Sequence, residues 1–275
     1  MSTAAIAPRP KRWANRLPRW LRVTLMAALF LCFFAACPLL ALIILPALRL
    51  FLKDYRDKIT WLLNKGLYVV IWWARFMGTV DFETPSLPPG FDPKRPHVLI
   101  SNHPTFVDML LVLGSFPYLS CVTSGRWSRH WALGPLLRWT HYLPGPGSGL
   151  PQAEDMLGSM VEHLKSGYSL LIFPEGQRSH ADSLRRFRRG AVAAAVRAGV
   201  PIVPLFVGID RPYLTKEVPL SRPPSPAPTY TFEWFDVIEP GDFDGDEHVI
   251  QEHLVQQYQA RFDAQRALQL ELSPG

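Results

Sequence analysis

Excess charge is missing from all but the first 22 residues of this 275-residue chain. Those residues carry Arg9, Lys11, Arg12, Arg16, Arg19 and Arg22 with no Asp or Glu, and the other 23 of the 29 basic residues face 23 acidic ones. A nucleic-acid groove needs basic residues dispersed over a folded domain, so the net charge of +6 does not point to such a partner. Cysteine is scarce. Cys32, Cys37 and Cys121 show neither pairing nor metal-type spacing, which excludes a disulfide scaffold and fits a reduced, cytosol-facing domain. No sequence repeat is present. The 27 prolines fall mostly between apolar runs, as punctuation and not as low-complexity disorder.

Apolar sequence is abundant, at 48% of residues. From Val23 to Leu48 no charge occurs, enough to cross a bilayer as a helix, and the basic tail before it suits anionic headgroups. Phe34-Ala35-Ala36-Cys37 faintly resembles a lipoprotein cleavage site, but the apolar run continues past Cys37 to Leu48. That is too long for a cleaved signal, so the reading is an anchor. Ile59 to Val80 is apolar and carries Trp61, Trp72 and Trp73, interrupted by Lys65 and Arg75. It predicts an interfacial helix with snorkelling cations, or else a second span. Pro38 and Pro46 offer bends that would let the first helix dip in and return. The expected organisation is a basic cytosolic tail over 1–22, anchor and interfacial helices forming a hairpin over 23–80, and a globular domain over 81–275.

After the proline-rich connector from Thr84 to Pro96 the pattern becomes globular. Strands are expected at Val98–Ile100, Leu119–Thr123, Ser169–Phe173, Ile202–Val207 and Tyr230–Phe235, with Pro204 pointing to an edge or bulged strand. Helices are expected at Thr105–Leu113, Ala153–Lys165, Arg188–Ala198 and, amphipathic, His248–Leu270. The alternation predicts an α/β fold: a mixed sheet flanked by helices.

Strand Val98–Ile100 runs into Ser101-Asn102-His103-Pro104-Thr105-Phe106-Val107-Asp108. Residues five apart in one continuous helix are separated by roughly 140° and would not meet. With Pro104 as the first helical residue and His103 as its cap, the imidazole can fold back to Asp108. The carboxylate would then fix the tautomer and stabilise the imidazolium. This is a general-base pair without a nucleophile of its own, so the activated hydroxyl would come from a substrate. Alone, a His-x4-Asp spacing is more often a helix cap beside a solvated acid. A second motif, Phe173-Pro174-Glu175-Gly176-Gln177-Arg178-Ser179, also follows a strand. Its proline and glycine force a tight turn, Glu175 and Arg178 need partners if buried, and a guanidinium there suits a phosphate. The plain alternative is a surface turn with a Glu–Arg pair.

In this order the two motifs resemble the lysophospholipid and glycerolipid acyltransferase family, which includes the 1-acylglycerol-3-phosphate acyltransferases. Asn102-His103 through Asp108 matches its Asn-His-x4-Asp signature, and Phe173 to Ser179 its Phe-Pro-Glu-Gly-Thr-Arg-Ser signature with Gln177 in place of threonine. Arg188-Arg189-Gly190 and Val200-Pro201-Ile202-Val203-Pro204-Leu205 are similar to two later blocks. The resemblance implies His103 as base, Asp108 as its partner, and Asn102, Glu175, Gly176 and Arg178 at the acceptor. It also implies a membrane-bound O-acyltransferase, with acyl-CoA or acyl carrier protein as donor and no separate cofactor. The partners implied are the bilayer and a lysolipid acceptor. The implied location is a bacterial inner membrane with the catalytic domain at its cytoplasmic face, since a single crossing from a cytosolic N-terminus would strand that domain away from cytosolic thioesters.

One departure stands out. The family usually has a further block between the motifs, ending in an aromatic-isoleucine-aspartate-arginine turn whose arginine holds the acceptor phosphate. Here Tyr142-Leu143-Pro144 is followed by Gly145-Pro146-Gly147-Ser148-Gly149, without arginine. Losing one charge-assisted contact weakens head-group binding by about 1.5–3 kcal/mol. The expected acceptor is therefore a phosphodiester lysolipid, an amino-acid lipid or a glycosylated carrier, with Arg126 and Arg129 as compensating cations or as solvated helix-start residues. Backbone amides at the start of the Thr105 helix are the expected oxyanion donors. Two rival readings are a metal hydrolase built on His103, Asp108, Glu175 and His180, which lacks a compact His-x3-His pair, and a non-catalytic lipid-binding scaffold of the same fold.

Overall fold

The computed structural model describes residues 17–51, 53–88, 91–145, 150–179, 183–215 and 218–271. The amino-terminal segment forms two long helices. Helix α1 (Arg19–Leu39) runs through a π-helical turn, Leu40–Ile44, into the short α2 (Leu45–Arg49). Pro38 and Pro46 bracket that turn, and Leu45 N–H closes it on the Leu40 carbonyl. The prolines remove amide donors from the α-helical ladder, and a wider turn of this kind is a usual way of accommodating the disruption. The stretch Arg19–Ala47 is long and apolar enough to cross a membrane, by length and composition. The chain then reverses near Asp54, whose φ is 53°, and returns as α3 (Tyr55–Phe76).

These helices are antiparallel. Arg22 Nη1 donates to Gly78 O at 3.2 Å near one end, and Cys37 shares a cluster with Ile59 and Leu63 at the other. Helix α3 has two faces. Ile59, Leu63, Leu67, Val70, Ile71 and Ala74 are buried, whereas Trp61, Leu62, Val69 and Trp72 are exposed. The segment expected at an interface is therefore also a structural helix of the domain. It packs on α4 (Val107–Ser115) so closely that a Cβ on Gly114 would lie 2.9 Å from the Tyr68 backbone.

The remaining elements are β1 (Asp81–Phe82), β2 (Val98–Ser101), β3 (Leu119–Thr123), α5 (Gly125–Ser128), α6 (Leu133–Leu137), β4 (Leu143–Pro144), α7 (Leu150–Lys165), β5 (Ser169–Ile172), α8 (Gly190–Ala198), β6 (Ile202–Ile209), β7 (Thr229–Trp234) and α9 (Glu247–Glu271). The strands form one mixed sheet in the order β1-β7-β6-β2-β5-β3-β4. Strands β6, β2, β5, β3 and β4 are mutually parallel, β7 is antiparallel to β6, and β1 is parallel to β7. Alternation along the central strands divides the core. Leu99, Leu171 and Leu205 join α1, α3 and α4 on one side. Val98, Ile100, Leu170, Ile172 and Ile202 join α7, α8 and α9 on the other. Tyr258 of α9 locks that second layer down, its hydroxyl donating towards Ile100 O at 2.8 Å and Leu205 O at 3.1 Å.

Two local expectations are corrected. Of the edge and bulge alternatives for β6, the edge is overturned, since the strand lies between β7 and β2. The Pro204 carbonyl accepts from Phe235 N–H at 3.1 Å just beyond the end of β7, so the donor that proline lacks is missing only where the ladder is already ending. Ile202 then pairs with Ile238, which places the extra residue in the partner segment. The second correction concerns α4, which begins at Val107 and not at Pro104. Thr105 Oγ1 takes the Val107 amide and Asp108 Oδ2 takes the Thr105 amide, and these side-chain bonds hold residues 104–106 as a turn ahead of the helix.

Candidate active site

The register of β2 on β5 brings the two sequence motifs together. Ile100 is level with Ile172, so Asn102-His103 and Phe173-Pro174-Glu175 emerge side by side from parallel strands. His103 stacks on Phe173, with ring centroids 4.2 Å apart and an interplanar angle of 22°. Its Nδ1 lies 3.0 Å from Asp108 Oδ1. Asp108 is fully buried, and the His103 side chain retains 16% exposure. The carboxylate also accepts from Thr105 N–H at 3.0 Å and Met109 N–H at 2.5 Å, so its position is set from both sides of the turn. A buried carboxylate on Nδ1 favours the tautomer with the proton on that nitrogen, leaving Nε2 as the proton acceptor. Among the described residues Nε2 has no hydrogen-bond partner.

Glu175 joins the motifs through the backbone. It is 2% exposed, and its oxygens accept from His103 N–H at 2.9 Å, Ser179 Oγ at 2.8 Å and Arg185 N–H at 3.1 Å. Burial pushes the carboxyl upward from its usual range, while the His103, Ser179 and Arg185 donors oppose that shift. The return bond, Ser179 N–H to His103 O at 2.7 Å, closes the clasp. No ion pair joins Glu175 to Arg178 among the described residues. Arg178 instead donates from Nη1 to the carbonyls of Leu214 and Thr215 at 2.9 and 3.0 Å. Gly176 sits at φ 69° with the Arg188 guanidinium over it, 2.9 Å from where a Cβ would stand, and its left-handed conformation calls for glycine.

Asn102 is 2% exposed. Its amide donates to Val207 O at 2.9 Å and accepts from Val207 N–H at 2.7 Å, tying β2 to β6 beneath the histidine. Arg126 is exposed on α5, next to Trp127, whose ring lies 6.3 Å from that of Phe106. The expectation that amides at the start of α4 receive an oxyanion is narrowed, since four of them are engaged. The amides of Thr105, Phe106, Val107 and Met109 are already bonded to Asp108, to the Leu214 carbonyl, to the Thr105 hydroxyl and to Asp108. His180, the fourth member of the metal reading, lies outside the described residues, as do 146–149 of the glycine-rich turn.

Two contributors escaped the sequence reading. Thr105 is fully buried, and its hydroxyl lies 3.1 Å from that of Tyr230 on β7; the Thr105 position within the first motif was its only signal, and Tyr230 had none. An apolar crevice of about 70 Å³ opens beside the histidine's turn, lined in part by Phe30, Phe34, Leu67, Phe106, Met109 and Trp127. It needs α1, α3, α4 and α5 together, which no local pattern announces.

A histidine–aspartate pair thus stands at the carboxyl end of a parallel sheet, with an apolar crevice opening beside its turn. Residues 82–208 match the model of the Acyltransferase family. It is 32% identical over 146 residues to the lyso-ornithine lipid O-acyltransferase of Pseudomonas aeruginosa, covering 51% of this chain and 53% of that protein. It is also 30% identical over 132 residues to human 1-acyl-sn-glycerol-3-phosphate acyltransferase alpha, covering 46% of each. The chain thus spans about half the length of these curated relatives. The crystal structure of the 1-acyl-sn-glycerophosphate (LPA) acyltransferase PlsC from Thermotoga maritima shares the fold, with a TM-score of 0.62 over 90% of this chain and 98% of that one at 19% identity.

Proposed function

We propose that this protein is a membrane-attached O-acyltransferase that moves an acyl chain from a thioester onto the hydroxyl of a lysolipid, with His103 and Asp108 as the base pair. The observation that carries the reading is the 3.0 Å Nδ1–carboxylate contact, which leaves Nε2 without a hydrogen-bond partner among the described residues. Nε2 takes the proton of the acceptor hydroxyl as its oxygen attacks the thioester carbonyl carbon. The tetrahedral oxyanion re-forms the carbonyl and expels the thiolate, and the imidazolium returns its proton to sulfur. Asp108 stabilises the imidazolium between these steps. The acyl chain lies in the crevice, which widens from its present 70 Å³ by movement of α1 and α5 against α4. The donor is a thioester of coenzyme A or of acyl carrier protein. The membrane is a bacterial inner membrane, with the domain on its cytoplasmic face.

For the acceptor we propose an amino-acid lysolipid. Residues 145–149 supply no arginine for a phosphate monoester, and the match to the lyso-ornithine lipid O-acyltransferase points the same way. Arg126, exposed on α5 beside the crevice-lining Trp127, is the cation proposed for the head group. The test is a panel of acceptors in detergent micelles with one acyl-CoA, following thiol release and lipid mass. Lyso-ornithine lipid should be acylated fastest. Lysophosphatidate turned over far better than every amino-acid or diester lysolipid would end the acceptor assignment, and no thiol release with any acceptor or donor would favour the non-catalytic scaffold.

A further inference from the structure

Four arginines in a five-residue run take no part in the chemistry above. Arg185, Arg186, Arg188 and Arg189 line a cavity of about 870 Å³ closed on its other side by α9. That helix presents one face, His248, Gln251, Glu252, Val255, Gln256 and Gln259, over three turns and about 16 Å. Arg186, Arg188 and Arg189 are exposed, and among the described residues none of them forms an ion pair. Two acids stand in the wall against the four arginines, Glu175, which is buried and bound to backbone amides, and the exposed Glu252, so the lining keeps an excess of positive charge. Arg186, Arg188 and Arg189, exposed in a concave, amide-lined site, are suited to phosphate groups, which guanidinium forks bind in a bidentate manner.

The cavity is joined to the histidine. Glu175 accepts from His103 N–H with one oxygen and from Arg185 N–H with the other, and the Arg188 guanidinium covers Gly176. It also lies in the α8–α9 layer, whereas the exposed apolar residues of α1 and α3 (Leu31, Trp61, Trp72) belong to the opposite layer. A lipid headgroup would approach from the apolar side, and a water-soluble ligand from this one. We propose that the arginine cavity binds the phosphate-bearing nucleotide end of a coenzyme A thioester, with the pantetheine arm passing over Gly176 to present the thioester at His103. This rests on the acyl-transfer reading and specifies its donor. A concave site of this size fits a small molecule better than the surface of an acidic carrier protein.

The full chain in detergent micelles is titrated calorimetrically with adenosine 3′,5′-bisphosphate, which lacks thiol and acyl group. The wild type and His103→Ala should bind it alike, and more weakly as salt rises. Arg186→Gln/Arg189→Gln and Arg186→Glu/Arg189→Glu should each weaken binding at least about tenfold. They should raise the KM for acyl-CoA by a similar factor, leave the KM for the lipid acceptor unchanged, and keep the wild-type melting profile. Transfer without nucleotide binding, a raised acceptor KM in place of a donor one, or an effect confined to acyl carrier protein would each overturn the assignment. Nucleotide binding without transfer from any donor would preserve the site and refute acyl transfer instead.

Discussion

His103 needs its carboxylate neighbour held still, and that neighbour is held by backbone. Asp108 accepts from the Thr105 and Met109 amides as well as the imidazole, so the pair is built into the turn. Replacing His103 with Ala should lower transfer by about 10²–10⁴-fold while vesicle flotation shows unchanged membrane association; substantial residual transfer would refute its role as base. Asn102 is a different case. Its amide satisfies both the N–H and the C=O of Val207 in a site closed to water. Asn102→Ala should therefore destabilise the fold by about 2–4 kcal/mol, read as an earlier unfolding transition in denaturant titration. The His–Asp partnership was legible because proline and strand flank the spacing. The part played by Asn102 was not, because its partner lies on β6, 105 residues away.

At the scale of elements, the close approach of α3 and α4 controls the crevice wall. With Tyr68 backbone atoms 2.9 Å from a Cβ at position 114, Gly114→Val should cost about 1–3 kcal/mol through overpacking, detectable as a lowered Tm. The buried His163 of α7 gives a pH dependence. Burial, followed by the charge of nearby His141, lowers its pKa from 6.5 to about 4. Its unfolded form thus takes up a proton before the folded form does. Stability is retained above pH 6.5 and lost as pH falls from there towards 4, by an amount on the order of 3 kcal/mol. His163→Phe should flatten this limb of the stability profile; an unchanged acid limb would show that His163 does not produce it. Helix and strand positions were largely legible from periodicity. The central place of β6 was not, because a proline argues for an edge unless the partner strand is already ending at that residue.

For the whole molecule, the amino-terminal helices pack on the core with one face and expose apolar residues on the other. Leu25, Leu29, Phe30 and Phe33 of α1 pack on the same cluster as α4 and the central strands, while Leu31, Leu42 and Ile43 face outward. A chain starting at residue 50 should lose flotation with vesicles and also one wall of the crevice. Its uncovered apolar surface should then show as aggregation by light scattering. A truncated chain that stayed monomeric and fully active would mean that α1 is only an anchor.

Local sequence determined the strands, the two motif turns, the apolar first helix and the neutral charge of the body, since each depends on residues within a few positions of one another. Tertiary structure alone decided what those parts do together. Parallel pairing of β2 with β5 set His103 against Phe173 and Glu175, helix packing made the apolar crevice, and one face of α9 became the wall opposite four arginines. Such contacts join residues far apart in the chain, and their geometry is fixed by sheet register and helix packing, which short-range patterns do not encode.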